Sequence, residues 1–128
     1  MSGEGGSVVL GLAVIVVVLV LAIGLGAVGA GIAGYVQAAG SADAAALAAA
    51  PVTFRPFGAR GTPAQEAARF AAANGTRLVS CSCPVDRSWN KRTVTVVVKR
   101  PVEILGFGSF SVRASSRATF DPTALLQP

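Results

Sequence analysis

The most constraining feature of this 128-residue sequence is a stretch from Gly5 to Ala42 that contains no charged residue. Its first part, Val8 to Gly34, consists almost entirely of Val, Leu, Ile, Ala and Gly. A helix needs about 20 apolar residues to cross a bilayer core of about 30 Å, and a single segment can satisfy its backbone groups in lipid only as a helix. The stretch therefore predicts one transmembrane helix, and it excludes one evenly built soluble domain.

A cleaved secretory signal is the competing interpretation. Such signals combine a positively charged start with an apolar segment of about 7–15 residues. Here Met1–Gly6 carries Glu4 and no basic residue, the apolar stretch is longer, and the small-residue site Ala48–Ala50 lies well beyond its end. A membrane anchor is therefore favoured. The positive-inside rule does not orient it, because the first basic residue is Arg55.

The helix is expected to continue beyond the bilayer. Gln37 to Ala50 is rich in Ala, the best helix former, and Pro51 is expected to end the helix because the residue before a proline avoids helical geometry. A helix over residues 8–50 would be roughly 65 Å long. The predicted organisation is a short N-terminal segment (1–7), this helix (8–50), a linker (51–61), a small head (62–120) and a flexible tail (121–128).

Small residues recur at four-residue spacing along this helix. Such a ridge lets helices approach closely in lipid, where packing drives association. Gly, Ala and Ser dominate residues 22–50, so composition alone is an alternative explanation of the pattern. The residues predicted to pack against neighbouring helices are Ala22, Gly26, Ala30, Gly34 and Ala38, and Ala42, Ala46 and Ala50 continue the register.

The remainder of the chain predicts a small α+β head. Thr62, Pro63 and Gln65 form a capping box with proline at the first helical position, which predicts a helix over residues 63–73 ending at Asn74-Gly75. Alternating apolar residues then predict three strands, over residues 77–83, 92–104 and 110–120. The fold class expected is therefore a long N-terminal transmembrane helix followed by one helix packed on a three-stranded antiparallel sheet.

The residue supply argues against catalysis and metal binding. The chain has no His, which excludes His-dependent triads and His-ligated metals, and its six acidic residues form no obvious pair. We therefore expect no enzymatic activity, cofactor, metal site or small-molecule substrate. The two cysteines, Cys81 and Cys83, are too few for a Cys-only zinc site. They remain candidates for free thiols, or for a disulfide within or between chains.

The charge distribution gives the head a basic character. All 11 Lys and Arg residues and four of the six acidic residues lie after residue 50. A basic surface favours anionic partners such as acidic subunits, anionic lipids or nucleic acid, although a solvated face is the simpler interpretation. No aromatic interleaving of the kind that binds single strands is present. The candidate patch consists of Lys91, Arg92, Lys99, Arg100, Arg113 and Arg117.

Two blocks of sequence resemble a known family. The first is the Asp43 string, Ala-Asp-Ala-Ala-Ala-Leu-Ala-Ala-Ala over residues 42–50, after an apolar helix preceded by Gly6-Ser7. The second runs from Ala68 through Asn74-Gly75-Thr76 to Cys81, and continues with the alternating strand residues Val94, Val96, Val98, Val112, Ala114 and Ala118. Together they resemble the TadE/TadG-like proteins of tight-adherence (Flp) pilus assembly, in particular the short actinobacterial type.

This resemblance implies a structural subunit, a minor pilin or pseudopilin of a pilus or related secretion machine. It implies a single-pass protein whose N-terminus is cytoplasmic and whose head is extracytoplasmic. Asp43 would then lie just outside the bilayer, as an assembly charge or as a solvated marker of the membrane boundary. Pilins of this kind usually carry Glu five residues after their processing site, where this sequence has Gly11. The alternative function is a membrane-tethered module whose basic head captures DNA or another anionic ligand.

Overall fold

The computed structural model describes residues 2–127, with side chains from Gly5 onward; Met1 and Pro128, at the ends of the predicted terminal segments, lie outside the described residues. Helix α1 spans Ser2–Val52 and is 51 residues long, about 76 Å at the α-helical rise. It therefore begins inside the predicted N-terminal segment. It also includes Pro51, which the sequence placed beyond its end. Pro51 sits in the final turn, and the helix stops one residue later.

The first half of the head is the short helix α2, Pro63–Ala73. Thr62 caps it with the predicted reciprocal bonds: the Thr62 hydroxyl accepts from the Gln65 backbone N–H at 3.2 Å, and the Gln65 side chain accepts from the Thr62 N–H at 2.9 Å. The helix ends at Asn74-Gly75, where Gly75 adopts a φ of +76° that glycine tolerates. The sequence prediction for this helix is confirmed to the residue.

Three antiparallel strands follow in the order β1-β2-β3, namely Arg77–Ser82, Arg92–Ile104 and Gly108–Phe120. Strands β2 and β3 pair without interruption from Arg92 with Phe120 to Ile104 with Gly108. The short edge strand β1 has a bulge between Leu78 and Ser80. The predicted three-stranded sheet is confirmed, and β3 begins two residues earlier than expected because the hairpin pairs up to its turn.

The layer that covers the sheet differs from the prediction. The upper half of α1, residues 38–52, lies against β2, β3 and α2, so this helix supplies much of the head's core. Its small side chains allow the valines of β2 to approach closely, and burying each valine contributes about 1.5–3 kcal/mol. The fully buried residues of this core are Ala38, Ala42, Ala45, Ala46, Ala49, Ala67, Ala71, Val94, Val96 and Val98.

The predicted linker and tail are also partly packed. Thr53 is fully buried, its hydroxyl donates to the Ala50 carbonyl at 2.6 Å, and its own carbonyl accepts from the Asp86 N–H at 2.9 Å. Phe54 is buried against Trp89, with ring centroids 5.1 Å apart. In the tail, a 3-10 helix spans Pro122–Leu126, and Pro122 is fully buried. Both segments are therefore fixed to the head at one end.

Candidate membrane and assembly surfaces

The lower half of α1, residues 5–36, presents large apolar side chains to its surroundings. Its Val, Leu and Ile residues are between half and three-quarters exposed, and its most apolar segment is not buried at all. Within residues 2–127 it is the one helix long and apolar enough to cross a membrane. The core helix of a soluble protein would be mostly covered, so the exposure favours an anchor or a signal sequence. The finding supports a candidate membrane span and leaves its orientation open.

The predicted small-residue ridge has two different environments. Ala22 and Gly26 are exposed and Ala30 is half-buried, whereas Gly34 and Ala38 are buried against the head. A Cβ on Gly34 would lie 2.5 Å from Cγ2 of Val102, so only glycine fits there without a shift. The head itself therefore occupies the upper part of the ridge. Packing of Ala22, Gly26 and Ala30 against another chain stays a prediction.

Asp43 lies on an exposed face of α1 beside the sheet, and its carboxylate accepts a hydrogen bond from the Ser116 hydroxyl. Ser116 interrupts the inward-facing apolar pattern of β3, and this bond is the reason a polar side chain fits there. Asp43 is nine residues beyond Gly34, about 14 Å along the helix axis. It therefore stands at mid-height of the head, well past the end of the apolar stretch.

The six basic residues predicted as one patch are separated by the structure. Lys99 and Arg113 are register partners and Arg117 follows on the same outward face of the sheet, while Arg100 lies on the face toward α1. The register also places Arg77 opposite Lys99, which gives a row of three basic residues across the sheet, Arg77, Lys99 and Arg113. Sequence reasoning missed Arg77, because only the pairing register places it in this row.

Arg92 is buried in the head and does not contribute to its surface. It is 6% exposed, its guanidinium lies 5.5 Å from the Phe54 ring centroid, and its side chain donates to the carbonyls of Ser88 and Asn90. Burial of an arginine requires such partners. The side chain therefore fixes the loop before β2 and is removed from the candidate patch. Lys91, its neighbour, is exposed near Asp121.

Cys81 and Cys83 form a disulfide, with their Cα atoms 5.4 Å apart. The bond lies at the end of the edge strand β1, and both residues are half-buried. Of the alternatives left open by the sequence, the structure has the bridge within one chain. Among residues 2–127 no group of three or more potential metal ligands lies together.

Three carboxylates in the head are stabilised in their charged form. The Arg69 guanidinium bonds Glu66 and, together with the Arg60 backbone N–H, lowers the pKa of this buried carboxyl below its ordinary value, although burial opposes the shift. Bonds from Ser88 lower the pKa of Asp86, and bonds from Thr123 lower that of Asp121. Each of these three carboxylates bonds to residues of its own loop or helix end, which indicates a structural role.

Comparison with known proteins gives no match to a family model, a curated protein or a solved structure.

Proposed function

We propose that this chain is a membrane-anchored structural subunit, of the minor pilin or pseudopilin kind found in tight-adherence pili and related secretion machines. In this proposal the lower half of α1 crosses the membrane with its N-terminus in the cytoplasm, and the head stands on the extracytoplasmic side. The chain assembles with other pilin-like subunits through α1, in the membrane or in a pilus.

The observation that carries the proposal is the continuity of α1. A tether needs only about 20 apolar residues and tolerates a flexible linker. Here the same helix that is exposed and apolar below continues above as a layer of the head's core, with Ala42, Ala46 and Ala49 fully buried. The head therefore has a fixed direction relative to the helix axis. A subunit that stacks its helix against others needs that fixed geometry, whereas a tethered receptor does not.

The disulfide supports an extracytoplasmic head. Disulfides persist in oxidising compartments and are rare in the cytosol, and the bond between Cys81 and Cys83 lies in the head. The exposed ridge supports assembly, because Ala22 and Gly26 leave room for a second helix on a surface otherwise formed by Val, Leu and Ile.

Side-specific thiol labelling tests the orientation. Intact cells expressing the full chain are treated with reductant and a membrane-impermeant maleimide, and lysed, denatured cells are the control. Labelling of Cys81 and Cys83 in intact cells supports the proposal. Labelling only after lysis, with denatured but sealed envelopes also unlabelled, places the head in the cytoplasm and overturns it.

Site-directed crosslinking tests assembly through α1. In a chain carrying Cys81→Ser and Cys83→Ser, Gly26→Cys places a thiol on the exposed ridge, and Val28→Cys places one about 200° around the helix as a matched control. Oxidation in native membranes is expected to give a product heavier than the 12.8 kDa chain for Gly26→Cys and little for Val28→Cys. Equal yields at both positions, or none at either, would contradict packing through the ridge.

Asp43 provides a second test of assembly. Asp43→Ala removes the exposed carboxylate, whereas Ser116→Ala removes its partner within the chain and leaves the carboxylate in place. If the carboxylate pairs with an amine or Arg of another subunit, Asp43→Ala reduces the Gly26→Cys crosslink and Ser116→Ala does not. Equal crosslinking in both variants would mean that Asp43 serves only as the hydrogen-bond partner of Ser116 within the chain.

A second candidate function is capture of an anionic ligand such as DNA. The row of Arg77, Lys99 and Arg113 favours it, because three like charges side by side on a sheet repel one another and a bound anion would relieve this repulsion. Full-length protein in nanodiscs should then bind duplex DNA with a steep salt dependence. Replacing the row by Gln should abolish binding, and replacing Arg55, Arg60 and Arg87 should not. Binding that ignores salt, or its absence, would exclude this function.

A further inference from the structure

The turn that joins β2 to β3 exposes large apolar side chains. Leu105 is 98% exposed, Phe107 is 72% exposed and Phe110, at the start of β3, is 43% exposed. The turn is formed by Gly106 and Gly108, both at positive φ, so two bulky side chains project from a very short loop. Large apolar side chains clustered in one exposed turn are a candidate interaction surface. These residues, Leu105 to Phe110, are called the hairpin tip below.

The hairpin tip lies beside the lower half of α1. A cleft between them is lined by Ile23, Gly26, Ala27 and Ala30 of the helix and by Glu103, Ile104 and Leu105 of the hairpin. On the same side, the Phe110 ring is 3.9 Å from the position of a Cβ on Gly31. The head therefore extends downward along α1 to the level of residues 23–31, inside the uncharged stretch.

The length of α1 places this level relative to a bilayer. A charged side chain is costly in hydrocarbon, so the core is expected to lie within the uncharged stretch that begins at Gly5. A core of about 30 Å takes about 20 residues of an upright helix and more of a tilted one. The hydrocarbon therefore extends to at least about residue 24, and to higher residues if it begins later. If the core begins between Gly5 and Gly11, it ends at about residues 24–30, and the hairpin tip then lies at its boundary.

We propose that the hairpin tip inserts into the leaflet from which α1 emerges and forms a second contact with the lipid. The proposal rests on the membrane anchor proposed above. Its occupant is the bilayer, because the tip continues the apolar surface of α1 at the same level. Insertion to about 5–10 Å is usual for amphipathic elements at this boundary. Two contacts, helix and tip, restrict the tilt of the head relative to the membrane plane.

The charges near the tip set its depth. Glu103 is exposed two residues before Leu105, about 7 Å along the strand, and it lies beside Ala30 of the helix. Because a carboxylate in hydrocarbon is costly, Glu103 has to remain at the headgroups, and this limits how deeply the tip inserts. Lys99 and Arg113 lie about 20 Å from Leu105 along the strand. No Lys or Arg lies between Ile104 and Val112, so only the tip itself enters the apolar region.

Fluorescence quenching by brominated lipids tests the proposal on the full chain in liposomes. Phe107→Trp is introduced together with Trp89→Phe, so that the tip carries the only Trp of the chain. A second variant carries Leu105→Trp in the same Trp89→Phe background. The wild-type chain is the matched control, because Trp89 packs on Phe54 at the opposite end of β2. Lipids brominated near the headgroup end of the acyl chain are expected to reduce the emission of the tip Trp about twofold, because bromine quenches only on near contact and the tip is expected at a depth of about 5–10 Å. The same lipids are expected to change the emission of Trp89 little.

Each outcome distinguishes the two proposals. If alkaline carbonate leaves the chain in the membrane but neither tip Trp is quenched, the anchor stands and the hairpin inference is wrong. The emission of an unquenched tip Trp can also be blue-shifted and move to the red as the protein is diluted in lipid. In that case the tip contacts a second copy of the chain, which also overturns the inference. If carbonate extracts the wild-type chain, both proposals fail. Quenching at both positions in a carbonate-resistant chain supports the inference.

Discussion

The two halves of α1 form one helix in two different surroundings. In residues 5–36 the side chains are mostly Val, Leu and Ile, and most of them are exposed. In residues 38–50 they are mostly Ala, and most of those are buried under the sheet and α2. Both halves are apolar, so hydrophobicity alone does not separate them. Side-chain size does separate them. Bulky residues occupy the half that the rest of the chain leaves mostly uncovered, and alanine occupies the half against which the strands pack.

The difference explains why the head is not a separate unit. A sheet of three strands with α2 buries little apolar area by itself, and domains of this size are only marginally stable alone. The upper half of α1 supplies the missing layer. The helix therefore has two structural tasks, and mutations in its two halves are expected to have different consequences.

The largest effect is expected from removing the upper half of α1. A chain that begins at residue 52 loses Ala42, Ala46 and Ala49 and leaves Val94 and Val96 uncovered. We expect it to lose cooperative unfolding and near-UV circular dichroism, whereas a chain that begins at residue 37 keeps both. A folded, cooperatively melting 52–128 fragment would show that the head is independent of α1.

A large side chain in the upper half is expected to have the next largest effect. Ala46→Leu overfills a fully buried position and should destabilise the head by about 1–3 kcal/mol. Ala33→Leu is the matched control in the lower half, where the residue is exposed, and should change stability by less than about 0.5 kcal/mol. Thermal unfolding in detergent micelles, followed by Trp89 fluorescence, measures both. Equal shifts in melting temperature would contradict the distinction between the two halves.

Two glycines of the ridge make a finer test. Gly34→Ala creates a contact with Val102, whereas a Cβ on Gly26 meets no atom within 4 Å. Both substitutions raise helix propensity equally, so their difference reports the contact. We expect Gly34→Ala to be less stable than Gly26→Ala by about 1 kcal/mol, measured in the same thermal assay. The reverse order would mean that Gly34 does not pack against the head.

The smallest effect is expected from acid. The lowered pKa of Glu66 means that its charged form stabilises the folded head above the ordinary value of 4.5, and that this contribution is lost as pH falls below it. The melting temperature should therefore fall on acidification in this range, and less steeply in Glu66→Gln. The fraction that sediments with liposomes at the same acid pH should not change, because the lower half of α1 carries no titratable side chain between Gly5 and Gly34. An identical acid slope in Glu66→Gln would contradict a role for this carboxylate.

The local elements were predictable because their signals are local. The capping box at Thr62 fixed the start of α2, and alternation of apolar residues gave β2 and β3 nearly to their ends. The bulge in β1 and the last turn of α1 at Pro51 were not predictable. In both, tertiary packing tolerates a geometry that residue preferences disfavour.

The candidate surfaces show the same limit. Four of the six basic residues form two adjacent pairs, Lys91-Arg92 and Lys99-Arg100. The structure nevertheless buries Arg92, separates Arg100 and brings Arg77 beside Lys99. Charge counts cannot distinguish these cases, because a basic residue's neighbours depend on strand register. Similarly, Leu105 lies outside every predicted helix and strand, and only the length of the hairpin places it beside Ile23 and Ala27.

The sequence by itself determined that one end of the chain is an uncharged apolar helix and that the other end is a small α+β unit, because charge, periodicity and capping are properties of neighbouring residues. Only the tertiary structure decided that the alanine-rich half of the helix packs under the sheet as part of the head's core, that Asp43 accepts a hydrogen bond from Ser116, and that an apolar turn extends to the level of residues 23–31 of α1. Alanine is compatible with a solvated helix, a lipid-facing helix or a core. Its role is therefore set by whichever surface packs against it.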